Sequence, residues 1–423
     1  MEQLELAVIA AAFLLFSLVS GRLEGKPLTA PMIFVAFGFL VGPGMLGIAQ
    51  IDRGQTFLHI VAELTLILVL FADAARIDLK RVRDDHNLPT RMLIIGLPLA
   101  IAFGAFVAAA IFPDFYLWEA ALLAALLAPT DAALGQAVVS NPTVPIRIRQ
   151  AINIESGLND GIALPAVLLF AALASATHGS ADSSDWITFG LLQITLGPIV
   201  GIVLGFVGGR LIDGAADRGW MREAFQGIGI LAFAGLCYVV AELVGGNGFI
   251  AAFVGGMTFG NTIRNHCVFL FEFMETEGQL LMLITFLAFG IALLPQGIAS
   301  FEPRHLLYAV LSLTVIRMLP IGISLAGTGI GLPTVLFLGW FGPRGLASIL
   351  FVLLILEEAE VEHASDILAV TVITVALSTL LHGLSAAPAS AAYGRRFARI
   401  GECEEGRPTS ELPLRDGMPE LKS

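Results

Sequence analysis

The sequence predicts an all-α polytopic membrane protein. About thirteen transmembrane helices are expected in two inverted six-helix repeats, with broken, crossing helices five and twelve. Three observations carry that expectation. Apolar stretches of membrane-spanning length recur along the chain, Lys and Arg fall on alternate loops, and two spans seven places apart are interrupted by Pro and Gly near their centres. Hydrophobic residues make up 57% of the 423, charged residues 14%, and mean hydropathy is +0.85. This is far from the composition of a soluble domain.

The apolar windows fall near 4–21, 28–48, 56–76, 92–112, 117–139, 150–174, 186–211, 224–244, 248–263, 279–296, 304–326, 332–356 and 367–390. The ninth is short and Gly-rich. Brief connections between them suit antiparallel neighbours. Glu2 and Glu5 stand where a signal peptide would carry basic residues, so the first span is expected to be retained. With the N-terminus outside, the inner segments collect Arg22 and Lys26; Arg76, Lys80, Arg81, Arg83 and Arg91; Arg147 and Arg149; Arg210, Arg218 and Arg222; Arg264; and six in the tail. That is 19 of the 23 Lys and Arg, whereas the outer loops keep only Arg53 and Arg304. The bias sets the orientation and favours an odd number of spans, with the C-terminus in the cytoplasm. The expected location is the inner (plasma) membrane, with the bilayer as the surrounding medium. Residues 1–392 form the transmembrane domain, and the polar residues 393–423 a cytoplasmic, disordered tail.

Arg317 and Arg344 remain, deep within spans eleven and twelve, where pairing with an acid is expected. Span five is interrupted at Pro129 in Ala-Pro-Thr-Asp, and span twelve in Gly-Trp-Phe-Gly-Pro-Arg-Gly around Pro343. Proline lacks an N–H and clashes with the carbonyl four residues back, so each helix opens there. Helices an odd number apart run in opposite directions. Two such breaks at corresponding places in inverted halves are the mark of a secondary transporter with a site near the bilayer midplane. Gly197, Gly201, Gly205 and Gly209 in span seven make a stripe for close helix contact, within the subunit or across a dimer interface.

The chemistry sits in Ile154-Glu155-Ser156-Gly157-Leu158-Asn159-Asp160-Gly161. A charge at mid-bilayer costs roughly 2.5–3.5 kcal/mol on insertion scales, so two acids here must be paired, hydrated or functional. Ser156 and Asp160, four apart, share one helix face, and Glu155 with Asn159 form the next stripe. A hard cation such as Na+ takes several oxygen ligands. Asp160 and Ser156, with Asp131 and the carbonyl of Thr130 freed by the break, supply such a set. A polar network that merely joins helices would not need three acids in two spans.

Thr130-Asp131 followed by Glu155-Ser156-Gly157-Leu158-Asn159-Asp160 resembles the paired signature of the electroneutral sodium/proton antiporters of the first cation/proton antiporter family. That family includes NhaP-type prokaryotic proteins and animal sodium/proton exchangers. The resemblance extends over the transmembrane chain, including the breaks, Arg317 and Gly342-Pro343-Arg344-Gly345. It implies that Asp160 binds cation and proton alternately and that Glu155 forms a structural ion pair with Arg317. Asn159 stands where electrogenic relatives have a second aspartate, which implies one cation per proton. Asp73, in Phe71-Ala72-Asp73-Ala74, loosely resembles an acidic position that assists the cation in some relatives. Two departures stand out. Ala132 replaces the usual proline after Thr-Asp, and Ala72 and Ala74 differ from a Gly-rich form; neither removes a ligand.

The expected activity is exchange of Na+ or Li+ for H+ by alternating access, with K+ as the alternative cation. A homodimer is expected by the same resemblance. A proton and a cation that exclude each other on one carboxylate need no ATP, and there is no Gly-Lys-Ser/Thr phosphate loop. No enzyme activity and no cofactor are expected. The net charge of −12 excludes nucleic acid as a partner, and neither the three Cys nor the seven scattered His suggest a metal centre. Two other classes remain. An intramembrane aspartyl protease could use Asp131 and Asp160, although neither acid has the Tyr-Asp or Gly-x-Gly-Asp context. A gated channel would carry current without proton counter-flux.

Overall fold

In the computed structural model, residues 3–23, 26–49, 56–77, 79, 87–131, 134–178, 183–263, 268–358, 361–397 and 405 are described. The helices are α1 Gln3–Leu23, α2 Ala30–Val41, α3 Thr56–Ala75, α4 Asn87–Ile111, α5 Leu117–Leu126, α6 Gln136–Val139, α7 Ile146–His178 and α8 Ser183–Asp217. They continue with α9 Glu223–Leu243, α10 Gly248–Thr262, α11 over 268–299, α12 Pro303–Ser324, α13 Leu332–Trp340, α14 Leu346–Glu358 and α15 Ala364–Phe397. Each expected span coincides with a helix or, for spans five and twelve, with a pair of helices separated by an irregular stretch. Eight helices among the described residues are long and apolar enough to cross a membrane; α2 and α5 are shorter and apolar.

Burial is inverted relative to a water-soluble protein. Leu15, Ile94, Phe106, Ile202 and Leu243 face outward, while Glu155, Asn159, Arg317 and Arg344 are enclosed. In hydrocarbon every backbone polar group must be satisfied within the protein, which leaves helices as the spanning element and confines irregular backbone to the interior. The two breaks obey this rule: residues 126–130 and 341–345 are all buried.

Small residues let the helices around the breaks approach closely. A Cβ on Gly256 or Gly260 of α10 would strike the carbonyls of Phe71 and Ala75 on α3, and one on Gly161 of α7 would strike the Phe253 ring. The glycine stripe of α8 faces α10. A Cβ on Gly201 would lie 2.9 Å from the Gly255 nitrogen, and one on Gly209 would lie 3.0 Å from Thr262. Both readings of the stripe were open in the sequence, and it serves packing within the subunit. An apolar core links α3, α5, α7, α10 and α14 through Leu66, Leu122, Leu158, Phe253 and Leu350.

Around the starts of α5, α12 and α15, polar pairs hold the ends together. Buried Glu119 meets His363 Nδ1 at 2.8 Å, and His305 Nε2 meets Asp366 at 2.9 Å. At the other end of the fold, α15 continues to Phe397, five residues past the expected tail boundary. Tyr393 stacks on Phe337 at 4.3 Å, and Glu405 accepts from the Gly331 N–H and the Thr334 hydroxyl, each at 2.9 Å. Residues 398–404 and 406–423 of the expected disordered tail lie outside the described residues, as do Ala132, Lys80, Arg81, Arg83 and Arg264.

Candidate functional site

The site forms where the two breaks meet. α5 ends at Leu126 and α13 at Trp340, and each leaves carbonyls without the N–H four residues on. Asp131 and Pro343, the residues at the two openings, join directly: the Asp131 N–H donates to the Pro343 carbonyl at 2.8 Å. The Asp131 carboxylate then accepts the N–H of Leu346, the first residue of α14, at 2.9 Å. A carboxylate at a helix N-terminus suits the partial positive charge there. The fit is close, because a Cβ on Gly345 would run into the Asp131 carboxyl and one on Gly342 into the Arg317 guanidinium.

The carbonyls at the end of α5 find donors from three elements. Ser348 Oγ of α14 donates to Leu126 at 2.7 Å, and Arg344 Nη1 donates to Ala128 and to Pro129, the latter at 3.1 Å. Ser156 Oγ of α7 donates to the Thr130 carbonyl at 2.6 Å, and Asn159 Nδ2 to the Thr130 hydroxyl at 2.5 Å. The irregular backbone is therefore held from α7 and from the opposite break at once.

Both arginines were expected to meet acids. Arg317 does: its Nη1 and Nη2 lie 2.6 and 2.7 Å from the two oxygens of Glu155, a bidentate pair with each side chain only 2% exposed. Arg344 instead meets carbonyl oxygens. The end of a helix carries partial negative charge and unsatisfied acceptors, and a guanidinium offers five donors to such a place.

Of the remaining candidates, Asp160 lies on the Ser156 face of α7 and is 8% exposed. Asp73 of α3 is half-buried, and its Cβ would sit 4.0 Å from a Cβ added at Gly157, so α3 brings it beside the same turn of α7. Thr130, Asp131, Ser156, Asn159, Asp160 and Asp73 thus gather within one region. Their oxygens are of the kinds that hold hard monovalent cations. No cluster of three or more His, Cys, Asp or Glu suited to a bound metal occurs among the described residues.

Sequence reasoning missed Ser348, Ser378 and His382, which hold the backbone of the breaks. His382 lies in the buried interior of α15. The available signal was the four-residue spacing of Ser378 and His382 in an apolar helix, the same spacing that singled out Ser156 and Asp160.

This arrangement has relatives. The family model described as "Sodium/hydrogen exchanger, transmembrane" matches residues 8–392. The chain belongs to that family. It is similar to a K(+)/H(+) antiporter NhaP of Alkalimonas amylolytica, 24% identical over 98% of this chain and 70% of the relative. A K(+)/H(+) antiporter NhaP2 of Shewanella sp. (strain ANA-3) is 26% identical over 81% of this chain, which spans 58% of it. A Na(+)/H(+) antiporter 2 of Zygosaccharomyces rouxii is 28% identical over 58% of this chain and 31% of its own length. In structure the chain resembles the sodium proton antiporter MjNhaP1 from Methanocaldococcus jannaschii. The TM-score is 0.76 with 18% identity, over 92% of this chain and 98% of that one. At that identity the likeness speaks for the fold, which is the all-helical one read from the sequence.

Proposed function

We propose that the protein exchanges Na+ or Li+ for H+, one for one, by alternating access, with Asp160 as the carboxylate that holds either ion. The observation that carries this reading is Asp160's position. It is buried on α7, one turn from a serine that is hydrogen-bonded to the opened backbone of span five. A carboxylate removed from water is costly unless a proton or cation accompanies it. The two therefore compete, and a site open to one side at a time couples their gradients. Ser156, the Thr130 carbonyl and Asp131 are the other cation ligands in this account, and Asp73 supports them. Glu155 and Arg317 neutralise each other and brace α7 against α12. Asn159 leaves a single titrating charge on its turn, which favours electroneutral exchange.

K+ is the second reading, favoured because the Alkalimonas and Shewanella relatives are named K(+)/H(+) antiporters. The protease and channel alternatives have no comparable support, since the chain's family is one of ion exchangers. By the family resemblance the same account expects a homodimer in the inner (plasma) membrane, and the Lys and Arg bias puts the N-terminus outside.

Transport by protein reconstituted in vesicles tests the reading. Na+, Li+ or K+ should dissipate an imposed pH gradient, with no change when the membrane potential is clamped, and Asp160→Asn should abolish the effect. Exchange preserved in that variant would sink the assignment of Asp160, and a response to potential would sink the one-for-one ratio.

A further inference from the structure

The break in span twelve has its own holder, and it is not part of the cation site. Five buried residues, 341–345, separate α13 from α14. The broken backbone there is met by one face of α15. His382 Nε2 lies 2.9 Å from the Trp340 carbonyl, at the end of α13. Ser378 Oγ, one turn earlier on α15, accepts the Arg344 N–H at 2.7 Å. Ser378 Oγ and His382 Nδ1 are 3.2 Å apart, so the two contacts form one chain. The imidazole also packs on the Trp340 ring, 4.8 Å between centroids, and the indole N–H donates to Ser385 Oγ at 3.0 Å.

The donors can be assigned from their partners. With the hydrogen on Nε2, the ring donates to the Trp340 carbonyl and leaves Nδ1 as an acceptor. Ser378 Oγ receives the Arg344 N–H and so has its own hydrogen to give to Nδ1. The other tautomer would donate from Nδ1 to the Ser378 carbonyl, 3.0 Å away, and leave the Trp340 carbonyl without the imidazole N–H. His382 and Ser378 together fix the backbone on both sides of Pro343.

What they fix reaches the ion site. Arg344, whose N–H is held by Ser378, donates from its side chain to the carbonyls of Ala128 and Pro129. Pro129 directly precedes Thr130, whose carbonyl and hydroxyl are held by Ser156 and Asn159. We infer that His382 is a positioning residue for cation binding. It acts through Ser378 and Arg344 on the opened backbone of span five and touches no ion itself. The inference rests on the transport reading above.

Exchange kinetics in reconstituted vesicles, using Na+, Li+ and K+ in turn, test it. His382→Ala should raise the apparent KM for the transported cation about tenfold, the scale of one or two lost hydrogen bonds, while the maximal rate moves less than twofold. His382→Gln, which keeps an N–H donor in the side chain, should restore KM to within about twofold of wild type. Ser378→Ala should raise KM in the same direction. An unmoved KM in His382→Ala, or a Gln variant as poor as Ala, would overturn the inference. If His382→Ala does not fold, Ser378→Ala decides, and an unchanged KM there counts against it. Wild-type vesicles that exchange none of the three cations overturn the transport reading and this inference with it. Exchange by the wild type with KM unmoved in the variants overturns this one alone.

Discussion

The two breaks pose the same physical problem and are served by different chemistry. At span five the partner helix α7 contributes Ser156 and Asn159, and it also carries Asp160 and the Glu155 that pairs with Arg317; at span twelve the partner helix α15 contributes Ser378, His382 and Ser385. α15 satisfies opened backbone from two residues four apart on one face, Ser378 and His382, and α7 does so through Ser156 while Asn159 holds the Thr130 hydroxyl. From these two helices it is neutral groups that do this work: Ser156 for Thr130, Ser378 for Arg344, His382 for Trp340. Carboxylates can only accept, so they give nothing to the exposed carbonyls of residues 126–130, which take their donors from Ser348, Arg344 and Ser156. A broken helix thus explains the hydroxyls, the amide and the imidazole. It does not explain Asp160, and in the proposed function that acid is what separates an ion site from a braced opening; Glu155 is accounted for by Arg317.

The comparison can be broken at several points. Glu155→Gln should have the largest effect on the fold, because it strands Arg317 in the interior. A buried partnerless guanidinium costs about 3–5 kcal/mol, so yield and thermal midpoint should fall sharply; a normal midpoint would mean that the pair does not brace α7. Gly345→Ala should come next. Its new methyl meets the Asp131 carboxyl where the breaks cross, and overpacking of this kind costs about 1–3 kcal/mol. Wild-type stability and exchange in that variant would show the crossing to be looser than it looks. Ser348→Ala should be smaller, near 1 kcal/mol for the donor lost from the Leu126 carbonyl, read as a shift of the thermal midpoint with little change in cation KM. A KM raised as much as that of a Ser156→Ala variant would show that the Leu126 carbonyl, like those of Ala128 and Pro129, positions the ion site.

Much of this was legible in the chain. Pro129 and Pro343 located both breaks, and Ser156 and Asp160 declared a shared face by spacing alone. Pro165, Pro198, Pro320 and Pro388 nonetheless lie inside continuous helices, so proline marks a weak point rather than a certain break. The roles of Arg344, Ser348 and His382 were not legible. Each bonds to backbone rather than to a complementary side chain, and a carbonyl leaves no signature in a sequence. Arg344 suggested an acid partner because sequence shows charges but not the ends of helices. The glycine stripe of α8 announced a close approach without naming what approaches, and only the fold turns it toward α10.

The central claim is that one carboxylate, Asp160, exchanges a proton for a cation. Proton release from the purified protein in weakly buffered detergent solution reads this without transport. Adding Na+, Li+ or K+ to the wild type should release about one proton per chain, as expected when a cation displaces a proton from a shared carboxylate. Asp160→Asn should release none, whereas Ser378→Ala should still release it at higher cation concentration. Undiminished release from Asp160→Asn would contradict the account.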